Sequence, residues 1–116
     1  MKPEERLPLH PRDYVILLLL ARGDCHGYGI IKRAEEQAEL QVRLDPANLY
    51  RTLRKLERQG LVEGEAGKEP SDGAPRRVYR LTALGRDVVG AESGRLARLA
   101  DTARAWRLIP GAEARS

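Results

Sequence analysis

The sequence contains no phenylalanine, one tryptophan and a single cysteine, Cys25. Without a second cysteine no internal disulfide can brace the fold, which must rest on an apolar core in a reducing compartment. The two histidines, His10 and His26, stand apart from each other and no CxxC pair accompanies them, so the usual donor sets for zinc are missing and no cofactor is expected. The longest apolar run, Tyr14 to Ala21, is too short to span a bilayer. It also begins too late, with no cleavage pattern, to act as a signal peptide. These absences argue for a cytoplasmic protein with no membrane partner. Gly27 and Gly29 follow no strand and lack a correctly spaced lysine, so they make no phosphate-binding loop. The adjacent carboxylates Glu35 and Glu36 point in different directions on a helix, which leaves an enzymatic role without a candidate.

Charge is what the chain has in plenty. Asp, Glu, Lys and Arg make up 33% of the residues with a formal net charge of +4, a mild bias towards polyanionic partners. A length of 116 residues suits one folding unit with a modest core.

Local signals divide that unit. Residues 1–10 read as a polar arm broken by Pro3 and Pro8, whose order depends on what it docks against. His10-Pro11 opens a helix that is apolar almost all round and ends at Gly23-Asp24. Cys25 to Gly29 reads as a glycine-rich turn, after which Ile30, Ile31, Ala34 and Ala38 recur at helical spacing. Asp45 as N-cap, Pro46 at the first helical position and Gly60 as terminator bound a third helix. Leu61 to Glu65 and Arg76 to Leu81 alternate as strands of a hairpin. Thr82 caps a last helix running to about Leu108. The expected fold is mainly α with a small β-hairpin: a winged helix-turn-helix domain over 1–82, a C-terminal dimerisation helix over 83–109 and a tail over 110–116.

On the third helix Leu49, Leu53 and Leu56 share one face, and steps of about 100° per residue send Arg51, Arg54, Lys55 and Arg58 to the other. Two short helices joined by a tight turn, the second with a basic outer face, meet the physical requirement for entering a DNA major groove. Ala47, Asn48 and Arg51, near the helix start, are the candidate base readers, with Asn48 suited to adenine and Arg51 to guanine. Arg54, Lys55 and Arg58 are placed for phosphates. The hairpin is the wing, with Arg76 and Arg77 at the base of its second strand and Lys68 near its tip. Double-stranded DNA is therefore the expected partner. A protein-interaction module without DNA-binding activity is the alternative, and an RNA-binding winged helix is disfavoured by the lack of aromatics on the basic face.

ILLLLARGDCHGYGII from Ile16, LYRTLRKLERQGLVE from Leu49 and VYRLTALGR from Val78 together resemble, in order and spacing, the PadR family of bacterial transcriptional regulators. The resemblance implies a winged helix plus a C-terminal dimerisation helix, of the subgroup with a short C-terminal region. It further implies a repressor released by a small effector. Where that family commonly has Gly-Thr before its Leu-Tyr pair and Pro after it, this chain has Ala47-Asn48 and Arg51, so a relative's operator sequence does not transfer. By the same resemblance Tyr50 is expected at the DNA backbone, although its position about 100° from the leucine stripe equally fits a half-buried packing role. Tyr28 is expected to pack where the turn meets the helices.

Leu84, Val88, Leu96, Leu99, Ala103 and Trp106 form an imperfect apolar stripe on the last helix, longer than one small domain can cover, which points to a homodimer. Two readings of Trp106 stand: an anchor in the dimer interface, or one wall of a pocket for a small aromatic or hydrophobic effector. A lone Cys25 beside an apolar helix reads as a small buried hydrophobe.

Overall fold

His10 starts the first helix, α1 (Pro11–Ala21), by accepting the Arg12 amide on Nδ1. A computed structural model describes residues 2–66 and 77–110. Because α1 is apolar around most of its circumference it runs through the centre of the domain, with Ile16, Leu17 and Leu20 fully buried. No helix among the described residues is long and apolar enough to cross a membrane.

After Gly23 the chain forms a two-residue strand, β1 (Cys25–His26), where a turn was expected. β1 pairs antiparallel with β3 (Arg77–Leu81), in register Cys25 to Tyr79 and His26 to Val78. β3 also pairs with β2 (Val62–Ala66), giving a sheet of order β1-β3-β2 rather than an isolated hairpin. A strand of this length carries no alternation, so only its pairing with β3 defines it. His26 then caps α2 (Gly27–Glu35), its Nδ1 accepting the Gly29 amide at 3.1 Å. That helix is shorter than its apolar spacing suggests, and Ala38 falls instead in a separate 3-10 turn, Ala38–Leu40.

α3 (Pro46–Arg58) begins where its cap and proline signals put it. Leu49, Thr52, Leu53 and Leu56 are buried against α1, α2 and the sheet, the i, i+3, i+4, i+7 pattern of a half-buried helix. Gly60, in the left-handed region at φ +77, turns the chain into β2. The hairpin loop, with Lys68 and Arg76, lies outside the described residues.

α4 (Ala83–Ala105) starts on a junction made by Thr82, whose Oγ1 accepts the Gly85 amide and donates to the Gly60 carbonyl. It stops three residues short of the expected Leu108, with Trp106 as its C-cap. Gly90 and Gly94 lie inside an unbroken helical run; the roughly 1 kcal/mol each costs relative to alanine is not enough to interrupt a helix anchored by buried Val88, Val89 and Glu92. The anchoring corrects the expected dimer stripe. Val88 is 0% exposed within its own chain, so it does not remain for a partner, and Leu84 is partly buried against the same core.

The N-terminal arm is ordered because it has something to dock on. Its 3-10 turn, Pro3–Arg6, lies along α4, and the Leu9 amide donates to Glu92 at 2.9 Å. Glu92 is 1% exposed and also takes a bidentate bond from Arg95, which holds its carboxyl below the ordinary carboxylate range despite burial. A folded-state pKa below the unfolded one adds stability that is present above about pH 4.3 and lost as pH falls through the folded value. Melting temperatures of wild type and Glu92→Gln should therefore differ most above about pH 5 and converge in acid. A gap that stays constant down to pH 3 would show that the carboxylate's charge is not what stabilises the arm.

Candidate nucleic-acid interface

The outer face of α3 is built by its own periodicity. Arg51, Arg54 and Arg58, at i, i+3 and i+7, stand on the side away from the buried leucines, and all three are exposed. None has an ion-pair or hydrogen-bond partner within the described residues. Arg43, just ahead of the helix, is exposed and equally unpartnered; sequence reading passed it over because it sits outside any periodic element.

Two other residues expected on this face are already engaged. Lys55 Nζ lies 2.6 Å from Asp13 Oδ2, whose side chain is only 10% exposed. Lys55 therefore clamps α3 to the first turn of α1 and is not a free phosphate ligand, because leaving it would strand a buried carboxylate. Asn48 donates Nδ2 to Asp45 Oδ2 at 2.8 Å while its Oδ1 is buried without a partner. Adenine recognition needs both ends of the carboxamide, so the cap geometry withholds Asn48 from base readout in this state. Ala47 is exposed beside it.

Arg77, at the start of β3, also differs from expectation. Its Nη2 donates to Glu57 Oε2 at 2.9 Å and to the Gly64 carbonyl at 2.8 Å, and the guanidinium lies 5.9 Å from the Tyr79 ring centre. The Glu57 hydrogen bond pushes its pKa up, keeping it charged. Arg77 thus ties the sheet to α3 before it can serve a phosphate. On the outer strand surface Arg80 bridges Glu63 and Glu65, which neutralises that side of the hairpin.

Tyr50 satisfies parts of both expectations. It is 36% exposed, and its phenol lies against Gly27, where a Cβ would come within 2.5 Å of the hydroxyl. Glycine at the start of α2 is what lets α3 pack so close. Tyr28 is 58% exposed, with Lys32 Nζ 5.7 Å from its ring centre, so it is not the packed residue expected. Between the start of α2, α3 and β3 these side chains enclose a cleft of about 620 Å³. Burial pushes the half-buried Cys25 thiol up, against the pull of Arg33, which disfavours a reactive thiolate.

At the far end of the molecule α4 leaves its own domain. Leu99 is 55%, Trp106 70% and Leu108 66% exposed, and Leu96 and Ala103 are half-buried on the same helix. Leu96 borders an apolar groove of about 370 Å³ formed with Leu9, Tyr14, Leu18 and Val42.

Residues 16–91 match the Transcriptional regulator PadR-like family. The transcriptional regulator Rv3488 of Mycobacterium tuberculosis is 35% identical over 85 residues, 73% of this chain and 75% of that one. A PadR family transcription regulator from Clostridium difficile R20291 superposes with a TM-score of 0.70 at 26% identity, covering 81% of this chain and 95% of that structure. Bacillus subtilis PadR, solved in complex with operator DNA, shares the fold at a TM-score of 0.64 and 24% identity over 72% of this chain and 47% of that one.

Proposed function

The chain belongs to the PadR-like family of transcriptional regulators, and from that premise we propose that it binds an inverted-repeat operator as a homodimer and represses until a small effector releases it. The observation that carries the DNA contact is the row Arg51, Arg54 and Arg58, three exposed guanidiniums with no partner among the described residues, on the outer face of a capped helix. Exposed in this way, they can offer their donors to phosphate oxygens and guanine edges. Arg51, nearest the helix start, is the base reader; Arg54 and Arg58 neutralise phosphates, and the wing adds Arg76 with Arg77 in a supporting role. Tyr50 approaches the backbone from the same face.

The exposed end of α4 supports the dimer. Leu99 and Trp106 are too apolar to stand in water over that length, and a second copy's helix is the occupant that symmetry supplies most simply. Leu96 and Ala103 complete the strip, and the groove beside Leu96 extends it. Trp106 anchors the interface and borders any effector pocket between the subunits.

The deciding experiment is an anisotropy titration of the DNA upstream of the protein's own gene against a scrambled duplex, at several salt concentrations. Selective binding of two chains per duplex is expected, weakening with salt by a slope of about 0.9 per phosphate neutralised. Failure to bind either duplex at low salt would overturn the reading in favour of a protein-interaction module.

A further inference from the structure

The chain owns four tyrosines and one tryptophan, and three of those tyrosines, Tyr28, Tyr50 and Tyr79, line the cleft between the start of α2, α3 and β3. Tyr79 belongs to the hydrophobic core, but the core does not account for Tyr28 and Tyr50. It is almost wholly aliphatic, and Tyr28 and Tyr50 keep much of their surface in water. Exposed phenol rings at one concavity offer flat faces on which another ring can stack.

Positive charge meets those rings at the same place. Arg54 reaches the cleft from α3 with no partner among the described residues, and Arg77 reaches it from β3 with its Nη2 committed to Glu57 and Gly64. Two guanidiniums from separate elements suit a dianion better than a single carboxylate, and the guanidinium fork matches phosphate oxygens. The cleft's volume of about 620 Å³ far exceeds what one phosphate fills and lies within the range typical of small-molecule sites.

We propose that this cleft binds a mononucleotide-class ligand, an aromatic ring carrying a phosphate, and that ligand and DNA exclude each other because both use Tyr50 and Arg54. The ring stacks among the tyrosines while the phosphate takes Arg54 and the face of Arg77 turned away from Glu57 and Gly64. The exclusion, though not the binding, rests on the proposed DNA-binding role. It would place an effector site beside the recognition helix, separate from the α4 end.

The test uses the full chain and AMP as probe, with inorganic phosphate and adenosine as controls for charge without a ring and a ring without charge. In heteronuclear NMR without DNA, AMP should produce saturable shifts at the amides of Gly27, Tyr28, Tyr50 and Arg54, with affinity about tenfold above either control. Tyr28→Ala removes an exposed ring, so the protein should stay folded, and it should weaken AMP binding about fivefold. AMP binding no better than inorganic phosphate, or shifts centred elsewhere, would overturn the site. In the anisotropy assay AMP should raise the apparent Kd for DNA in proportion to its concentration. If AMP saturates the cleft and DNA affinity is unchanged, the exclusion is wrong. If the protein binds no DNA at all, the DNA reading fails while the NMR titration still decides the cleft.

Discussion

Arg51→Ala is expected to weaken operator binding by about 1 to 3 kcal/mol, roughly fivefold to 150-fold, and to relax preference at one base position of each half-site. Arg51 is exposed, has no partner among the described residues and is the one of the three arginines nearest the start of α3, so its loss leaves the fold intact and removes only an outward contact. Arg58→Ala, further along the helix, should lower affinity for all sequences alike and reduce the salt slope by about one. Lys55→Ala supplies the contrast. Its partner Asp13 is nearly buried, so the substitution strands a carboxylate and should lower the melting temperature while changing the salt slope little. Anisotropy titrations of the three variants, with a thermal melt of each, separate these outcomes. A salt slope that falls as much in Lys55→Ala as in Arg58→Ala would mean that the Asp13 pair opens on DNA. Unchanged affinity in Arg51→Ala would remove the proposed base reader.

Two glycines of α4 should respond to alanine with opposite signs. A Cβ at Gly85 would run into the Leu61 carbonyl oxygen, where the first turn of α4 rests on the link between α3 and β2. Leu61 cannot easily give way, since it is buried and its carbonyl already accepts the Thr82 amide. Gly85→Ala is therefore expected to destabilise by about 1 to 3 kcal/mol, as overpacking of a closed site does. At Gly90 nothing lies within 4 Å of the added carbon, and the helical backbone accepts alanine without strain. Gly90→Ala should stabilise by about 0.5 to 1 kcal/mol through a smaller loss of chain entropy. Each kcal/mol corresponds to roughly 4 to 8 °C in Tm for a domain near this size, so calorimetry resolves both effects. Equal effects at the two sites would mean that helix propensity, not the Leu61 contact, governs α4.

The family assignment and the bounds of α3 were legible in the sequence because they depend on residues close together in the chain. Asp45, Pro46 and Gly60 act within one helical turn of the ends they define, and a leucine stripe reports the buried face wherever the helix packs. The three sequence blocks that carry the family resemblance are local in the same sense. The fate of individual cations is not. Arg54 and Lys55 are neighbours with the same formal charge, yet Lys55 is taken by Asp13, 42 residues away, while Arg54 meets no partner among the described residues. Arg77 is drawn to Glu57, 20 residues away, by the same kind of contact. Val88 fell to the core and Trp106 to solvent on one helix, because the domain covers only the first part of α4. β1 exists only through its pairing with β3. Propensity, capping and periodicity are properties of a short stretch of chain, and the sequence by itself determined those; which charge meets which, and which part of an apolar stripe is left uncovered, depend on distances that only the folded chain defines.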